Sequence, residues 1–166
     1  MKKLIVGIGI PGSGKTTVLK DFAREHNYFY LCPDDIREEM TGRAADQSRN
    51  KEAWDEAHRR MREQLNEGST LVFDATFANY EQRKEFLALA REYGAEKIEG
   101  VFFDVALDLA KERNQSRERT VPEYVLEQMN KSLRDFPPVI EDGFDTVFTM
   151  NAEKKIKLLK GSLVSL

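Results

Sequence analysis

Apolar positions along the chain fall into two alternating patterns. Short apolar runs at 3–8, 28–31, 70–74, 97–103 and 145–149 read as strands. Between them, apolar residues recur at helical spacing over 15–26, 35–41, 50–66, 80–93, 106–117 and 122–135. Leu4, Ile5, Val6 and Ile8 form a near-continuous apolar stretch, as in a parallel strand covered on both faces. Val18, Leu19, Phe22 and Ala23 mark the inner face of the first helix. Trp54, Ala57, Met61 and Leu65 mark that of the third, and Val125, Met129, Leu133 and Phe136 that of the last. Asn79-Tyr-Glu-Gln82 has the form of a capping box, and Pro122 suits a first helical turn. "TGRAADQS" (41–48) is a polar breaker expected to be mobile, and "DFPPVIEDGFD" (135–145) reads as a loop. Strand–helix alternation predicts an α/β fold: a parallel sheet of about five strands with helices on both faces. No repeat, low-complexity tract or boundary divides residues 1–166, so one domain is expected.

Composition narrows the picture in two respects. The formal net charge is −3, which argues against a broad basic face for duplex DNA but not against a site that grips one strand end. Cys32 is the single cysteine, so no internal disulfide forms, which suits a reducing cytoplasm. It reads as a small buried apolar residue rather than a reactive one. The opening "MKKLIVGIGI" imitates a signal peptide, but its apolar run is short and no small-residue cleavage site follows. No segment reads as a membrane span, and a cytoplasmic location is expected.

Candidate chemistry begins where the first strand ends. "GIPGSGKTT" (9–17) matches Gly, four residues, then Gly-Lys-Ser/Thr, between an apolar strand and a helical pattern. Gly9, Pro11, Gly12, Ser13, Gly14 and Thr17 shape a loop whose backbone N–H groups converge on phosphate oxygens at a helix N-terminus. Lys15 is expected to reach the outer phosphates of a nucleoside triphosphate, and the Thr16 hydroxyl to bind Mg²⁺.

Several uses of such a loop are argued against. The Asn-Lys-x-Asp reader of GTP-binding switches is missing: "NKSL" (130–133) and "NKEA" (50–53) lack the acid. "LVFDAT" ends its strand in Asp74-Ala75, unlike the Asp-Glu ending common in motor and AAA-type ATPases. The Asp-Gly-x-Pro-Arg stretch of nucleoside monophosphate kinases is also absent. What remains is "PDDIREEM", with Asp34, Asp35 and Arg37 just after the second strand. In a parallel sheet, ligands sit beyond the carboxyl ends of the strands, which places Asp34 and Asp74 on the edge that carries the phosphate loop. A carboxylate there can take a proton from an incoming hydroxyl, and an arginine three residues on can hold an anion on the acceptor. Asp34 or Asp35 could instead cap the helix at 35–41, and Asp35 is the better candidate. Thr76 is grouped with Asp34, Arg37 and Asp74 on the substrate side. Arg113 and Arg117, spaced i, i+4 in "KERNQSRER", read as a helical lid at about 111–121 that faces the γ-phosphate. Arg59, Arg60 and Arg62 read as a solvated helix face, Trp54 as core, and His58 as surface or partly buried rather than catalytic.

Together, "GIGIPGSGKTT", "PDDIREEM", "VFDATFANYEQRKEFLALAREYG" and "VFFDVALDLAKERNQSRERTVPEYVLEQMNKSL" resemble the phage-type polynucleotide 5′-hydroxyl kinase domain, from residue 1 to about 136. The resemblance implies a P-loop kinase-type sheet and ATP- and Mg²⁺-dependent transfer of the γ-phosphate to the 5′-OH end of DNA or RNA. It implies Lys15 and Thr16 as phosphate and metal ligands, Asp34 as general base and Arg37 as the contact to the acceptor's neighbouring phosphate. It further implies Asp74 as a second acid of the site and Arg113 and Arg117 as lid arginines. Pro33 gives the second motif a different lead-in. The Asp-x-Asp-Gly motif of an appended phosphatase domain is missing, so healing of 3′-phosphates is not expected. Two alternatives stand beside this: a small-molecule kinase of the same architecture, and a non-catalytic nucleotide-binding regulator. "NAEKKIKLLK" (151–160) is a candidate docking helix.

Overall fold

A computed structural model describes residues 1–117 and 120–151. Five strands, β1 (Lys3–Ile8), β2 (Phe29–Leu31), β3 (Leu71–Asp74), β4 (Lys97–Phe103) and β5 (Thr146–Met150), form one sheet in the order β2-β3-β1-β4-β5. Every pairing is parallel. The helices are α1 (Lys15–His26), α2 (Pro33–Thr41), α3 (Asn50–Asn66), α4 (Tyr80–Glu92), α5 (Leu107–Gln115) and α6 (Glu123–Asp135). Short 3₁₀ turns at Gln47–Arg49 and Ile140–Asp142 were not expected. No helix among the described residues is long and apolar enough to cross a membrane.

Period-2 alternation divides the core between the two sheet faces. Leu4, Val6, Ile8, Leu71 and Phe73 meet Ile36, Ala57, Met61, Leu65, Phe86 and Leu133 on one face. Ile5, Val72, Val101 and Phe103 meet Val18, Leu19, Phe22 and Ala23 of α1 on the other. Full burial of each large aliphatic contributes about 1.5–3 kcal/mol over exposure. The chain leaves β1 toward β2, returns through β3, and then jumps to β4 on the opposite side of β1. That reversal opens a crevice beyond the carboxyl ends of the strands.

Three local expectations are corrected. Residues 41–48 are tied down: Ala44 is 3% exposed and its carbonyl accepts from Arg37 Nε at 2.6 Å. Helix α2 starts at Pro33 with Cys32 as its cap, so neither Asp34 nor Asp35 is the cap. Both lie in the first turn, where the helix dipole favours a carboxylate. Phe136 falls just past the end of α6 and off its apolar stripe; it is 53% exposed and stacks on Tyr80 with ring centroids 5.1 Å apart. The Asn79 cap is present, its side chain accepting from the Gln82 N–H at 3.0 Å. The candidate docking helix at 151–160 lies outside the described residues except for Asn151.

Candidate active site

The phosphate loop connects β1 to α1 at the crevice. Gly12 (φ 85°) and Gly14 (φ 84°) hold left-handed conformations that disfavour side-chain-bearing residues. At Gly12 space is closed as well: a Cβ would fall 2.4 Å from the Ala110 carbonyl oxygen of α5. Gly14 caps α1 and directs the helix N-terminus at the crevice. Gly9 lies beneath the loop, where its N–H donates to the Thr76 carbonyl at 3.2 Å and a Cβ would meet Ser13 Oγ at 2.9 Å. It supports the loop from below, whereas Pro11, Gly12, Ser13, Gly14, Lys15, Thr16 and Thr17 line the cleft above.

That cleft has a volume of about 1100 Å³. It also receives Asp34 and Asp35 from α2, Asp74 and Thr76 from the end of β3, and Arg113 and Arg117 from the lid. The Arg113 guanidinium donates through Nη1 to the Gly12 carbonyl at 3.4 Å. The lid is not one continuous helix. Helix α5 stops at Gln115, so Arg117 lies beyond it rather than on a shared helical face. Ser116 Oγ donates to the Arg113 carbonyl at 2.9 Å. The buried Asn114 carboxamide then clips Val121 twice, donating to its carbonyl at 2.6 Å and accepting from its N–H at 3.0 Å. The turn still brings Arg117 into the cleft.

Asp74 is fully buried at the carboxyl end of β3. Its Oδ2 accepts from Thr16 Oγ1 at 2.8 Å and from the Tyr30 hydroxyl at 2.5 Å. Lys15 Nζ lies 3.4 Å from Oδ1, and Oδ1 accepts no hydrogen bond among the described residues. Burial alone would raise the Asp74 pKa. The Lys15 ammonium and the hydrogen bonds from Tyr30 and Thr16 outweigh it and hold the carboxyl below its ordinary value. Asp74, expected on the substrate side, is therefore joined to the nucleotide-side residues Lys15 and Thr16. A hard divalent cation beside a nucleotide takes one or two protein oxygens and fills its shell with phosphates and water. The Thr16 hydroxyl and the otherwise unmet Asp74 Oδ1 fit that requirement.

Asp34 lines the same cleft from the first turn of α2, with about half its side chain exposed. Arg37 differs from expectation. It is 8% exposed and does not line the cleft. Its guanidinium donates to the Ala44 carbonyl at 2.6 Å, Asn50 Oδ1 at 2.8 Å and Asp34 Oδ1 at 2.7 Å. The sequence spacing that suggested an anion contact is also i, i+3 helical spacing to Asp34, and the structure uses it that way. Asp35 also lines the cleft, 3.7 Å from Lys20 Nζ.

The far half of the cleft was not read from the sequence. Trp54 and His58 of α3, Phe77 of the β3–α4 loop, Phe86 of α4 and Met129 of α6 line it. Trp54 packs edge-on to His58 and Phe77, at 5.9 and 6.0 Å. Burial lowers the His58 pKa below its ordinary value, with Asp55 opposing. Phe77 has φ 48°, and its carbonyl accepts from the Arg83 guanidinium (Nη1) at 2.9 Å. Arg83 itself is fully buried against Asp142 at 2.9 Å. Arg59 and Arg60 pair with Glu56, Glu63 and Glu39 at the surface, as a solvated face should.

A family profile described as "AAA domain" matches residues 4–136. The chain belongs to that family. A curated relative, "Putative bifunctional polynucleotide phosphatase/kinase" of Acanthamoeba polyphaga mimivirus, is 25% identical over 154 residues, which are 90% of this chain and 33% of the relative. The chain thus spans about a third of that relative's length. Among solved structures, a putative kinase from Chloroflexus aurantiacus superposes with a TM-score of 0.73 at 17% identity, over 90% of this chain and 87% of the other. A chain of the Pnkp1/Rnl/Hen1 RNA repair complex gives 0.69 at 25% identity, over 81% and 46%. A gluconokinase from Sinorhizobium meliloti gives 0.61 at 18%, over 96% and 88%. The fold is a kinase-type P-loop α/β fold, and the resemblance to polynucleotide kinases noted in the sequence holds in both comparisons.

Proposed function

We propose that this protein is an ATP-dependent phosphotransferase that phosphorylates the 5′-hydroxyl end of a DNA or RNA strand. One observation carries the kinase reading: a single cleft is lined by the phosphate loop, by the carboxylate of Asp34 and by the aromatic side chains of Trp54, Phe77 and Phe86. The likeness to the viral protein and to the repair-complex chain supports a polynucleotide as that acceptor.

In this reading the loop N–H groups and Lys15 hold the triphosphate of ATP, and Arg113 and Arg117 neutralise charge as the γ-phosphoryl moves. Thr16 Oγ1 and Asp74 Oδ1 would hold Mg²⁺, which supplies further charge neutralisation on the phosphates. Asp34 orients the acceptor hydroxyl and takes its proton. The hydroxyl oxygen bonds to the γ-phosphorus while the bond from that phosphorus to the β–γ bridging oxygen breaks, and the electron pair leaves with ADP. Arg37 fixes the Asp34 carboxylate in place.

A second reading, a small-molecule kinase, draws on the charge of the far half. The described cations that line the cleft are Lys15, Lys51, Arg113 and Arg117. Of these only Lys51 lies away from the phosphate loop and lid, and it pairs with Asp55 at 2.7 Å.

Transfer of labelled γ-phosphate to 5′-OH oligonucleotides, nucleoside 3′-phosphates, gluconate and shikimate separates these readings. The oligonucleotide is expected to be labelled. Label on gluconate or shikimate alone favours the small-molecule kinase, and ATP binding with no transfer favours a regulator. In single-turnover reactions Asp34→Asn should lose about 10²-fold or more while still binding ATP, and Asp35→Asn should keep most of the rate. Full activity in both variants would show that neither carboxylate is the base.

A further inference from the structure

We propose that Tyr30 is a positioning residue for the Mg²⁺ site, its hydroxyl holding Asp74 so that Oδ1 is presented to the metal. The proposal rests on the reading that Thr16 and Asp74 hold Mg²⁺, and it is independent of the acceptor.

The geometry is that of a carboxylate pinned by one oxygen. Asp74 Oδ2 receives two donors, the Tyr30 hydroxyl at 2.5 Å and Thr16 Oγ1 at 2.8 Å. Two donors fill the two lone pairs of that oxygen, and the other oxygen is left facing Lys15, in a residue that lines the cleft. The terminal torsion of a carboxylate is soft, so without outside partners it samples a broad range. Donation by Thr16 also leaves that hydroxyl's lone pairs for a cation.

Tyr30 is well built for this task. It pairs with Val72 across the β2–β3 ladder, and Asp74, two residues on, shares the Val72 face of the sheet. The ring packs against the core cluster beneath α1, and Lys20 Nζ lies 5.5 Å from its centroid. Outer partners of this kind typically change metal affinity by about 10–100-fold when removed.

The test is Mn²⁺ affinity, read by electron paramagnetic resonance on the 166-residue chain saturated with ADP. Wild type, Tyr30→Phe, Tyr28→Phe and Asp74→Asn are compared. Tyr30→Phe is expected to weaken Mn²⁺ binding about 10-fold or more, with ADP affinity in the absence of metal unchanged. Tyr28→Phe, a partly buried tyrosine against the same cluster, should bind Mn²⁺ like wild type. Asp74→Asn should lose most of the affinity. If Asp74→Asn weakens Mn²⁺ binding and Tyr30→Phe does not, the positioning role is overturned while the metal site stands. Equal loss in Tyr28→Phe and Tyr30→Phe overturns it as well, since the effect is then general packing. If Asp74→Asn binds Mn²⁺ normally, the metal assignment fails and the Tyr30 role with it.

Discussion

Replacing Arg37 with alanine separates two roles that the same residue could play. As a ligand for the acceptor's phosphate, Arg37 should be dispensable for folding and decisive for acceptor choice. As the structure places it, the opposite holds. Its guanidinium is nearly buried and bridges α2, the 41–48 segment and the start of α3 through Asp34, Ala44 and Asn50. Truncation removes all three bonds. The Ala44 carbonyl lies in a residue only 3% exposed and gains no solvent in exchange. An unmet buried acceptor costs about 1–3 kcal/mol, and loss of a charge-assisted bond to Asn50 costs a similar amount. The bond to half-exposed Asp34 adds only about 0–1 kcal/mol. Arg37→Ala should therefore lose about 2–7 kcal/mol, a fall in Tm of roughly 4–28 °C at about 2–4 °C per kcal/mol for a domain of this size. Arg37→Lys keeps the charge but cannot make the three-way fork, so it should fall between the two. Thermal unfolding, run beside transfer to a nucleoside and its 3′-phosphate, reads both roles at once. The expected result is a lower Tm, a lower kcat through a loosened Asp34, and an unchanged ratio between the two acceptors. An unchanged Tm with loss of the 3′-phosphate preference would refute this reasoning and return Arg37 to the acceptor.

Other consequences are equally open to measurement. Arg113→Ala and Arg117→Ala should each lower kcat by about 10²–10³-fold, and a change confined to KM for the acceptor would move them out of the lid role. Asp142→Ala strips the fully buried Arg83 of its counter-ion and should cost about 3–5 kcal/mol in urea unfolding; a loss below about 1 kcal/mol would mean that water reaches the pair. His58 is held below its ordinary value of 6.5 by burial. The unfolded chain then binds more protons at mildly acid pH, so stability is full above that value and declines as pH falls below it. His58→Gln should flatten the decline between neutral pH and about pH 5; an unchanged slope would assign it to other groups.

The strands and helices were legible because each carries its own period. The continuous run in β1 and the stripe Val18, Leu19, Phe22 and Ala23 in α1 give the sheet face and its cover directly. The phosphate loop was legible for a related reason: it needs consecutive residues with particular backbone freedom, and Gly12 and Gly14 announce it. Interactions between elements were less so. The strand order decides that Tyr30 and Asp74 meet, and nothing local to "YFYLC" reports it. Side-chain capping was misassigned at α2 because Pro33 at the first helical position moves the start two residues earlier than the apolar pattern does. Likewise the i, i+4 spacing of Arg113 and Arg117 holds only while the helix continues, and Asn114 and Ser116 end it between them.

The proposed acceptor wall is hidden in the sequence for a stronger reason than distance. Trp54 lies beside the core stripe of α3, and Met129 of α6 packs against the same core as Leu126 and Leu133, yet both also line the cleft. A residue at the rim of a core faces both ways, and periodicity registers only its apolar character. Phe77 is the sharper case: its positive φ gives no sequence signal of the kind a glycine gives, and a buried ion pair brought in from α4 and the 140–142 turn holds its carbonyl. In the proposed reading, acceptor choice is written in side chains that α3, α4, α6 and the β3–α4 loop bring to one cleft, while nucleotide binding is written largely in nine consecutive residues. Two chains can share the second and differ in the first. The same fold accordingly superposes on a chain of an RNA repair complex and on a gluconokinase. The wall of Trp54, His58, Phe77 and Phe86, rather than the phosphate loop, is where substitutions should change which hydroxyl is phosphorylated.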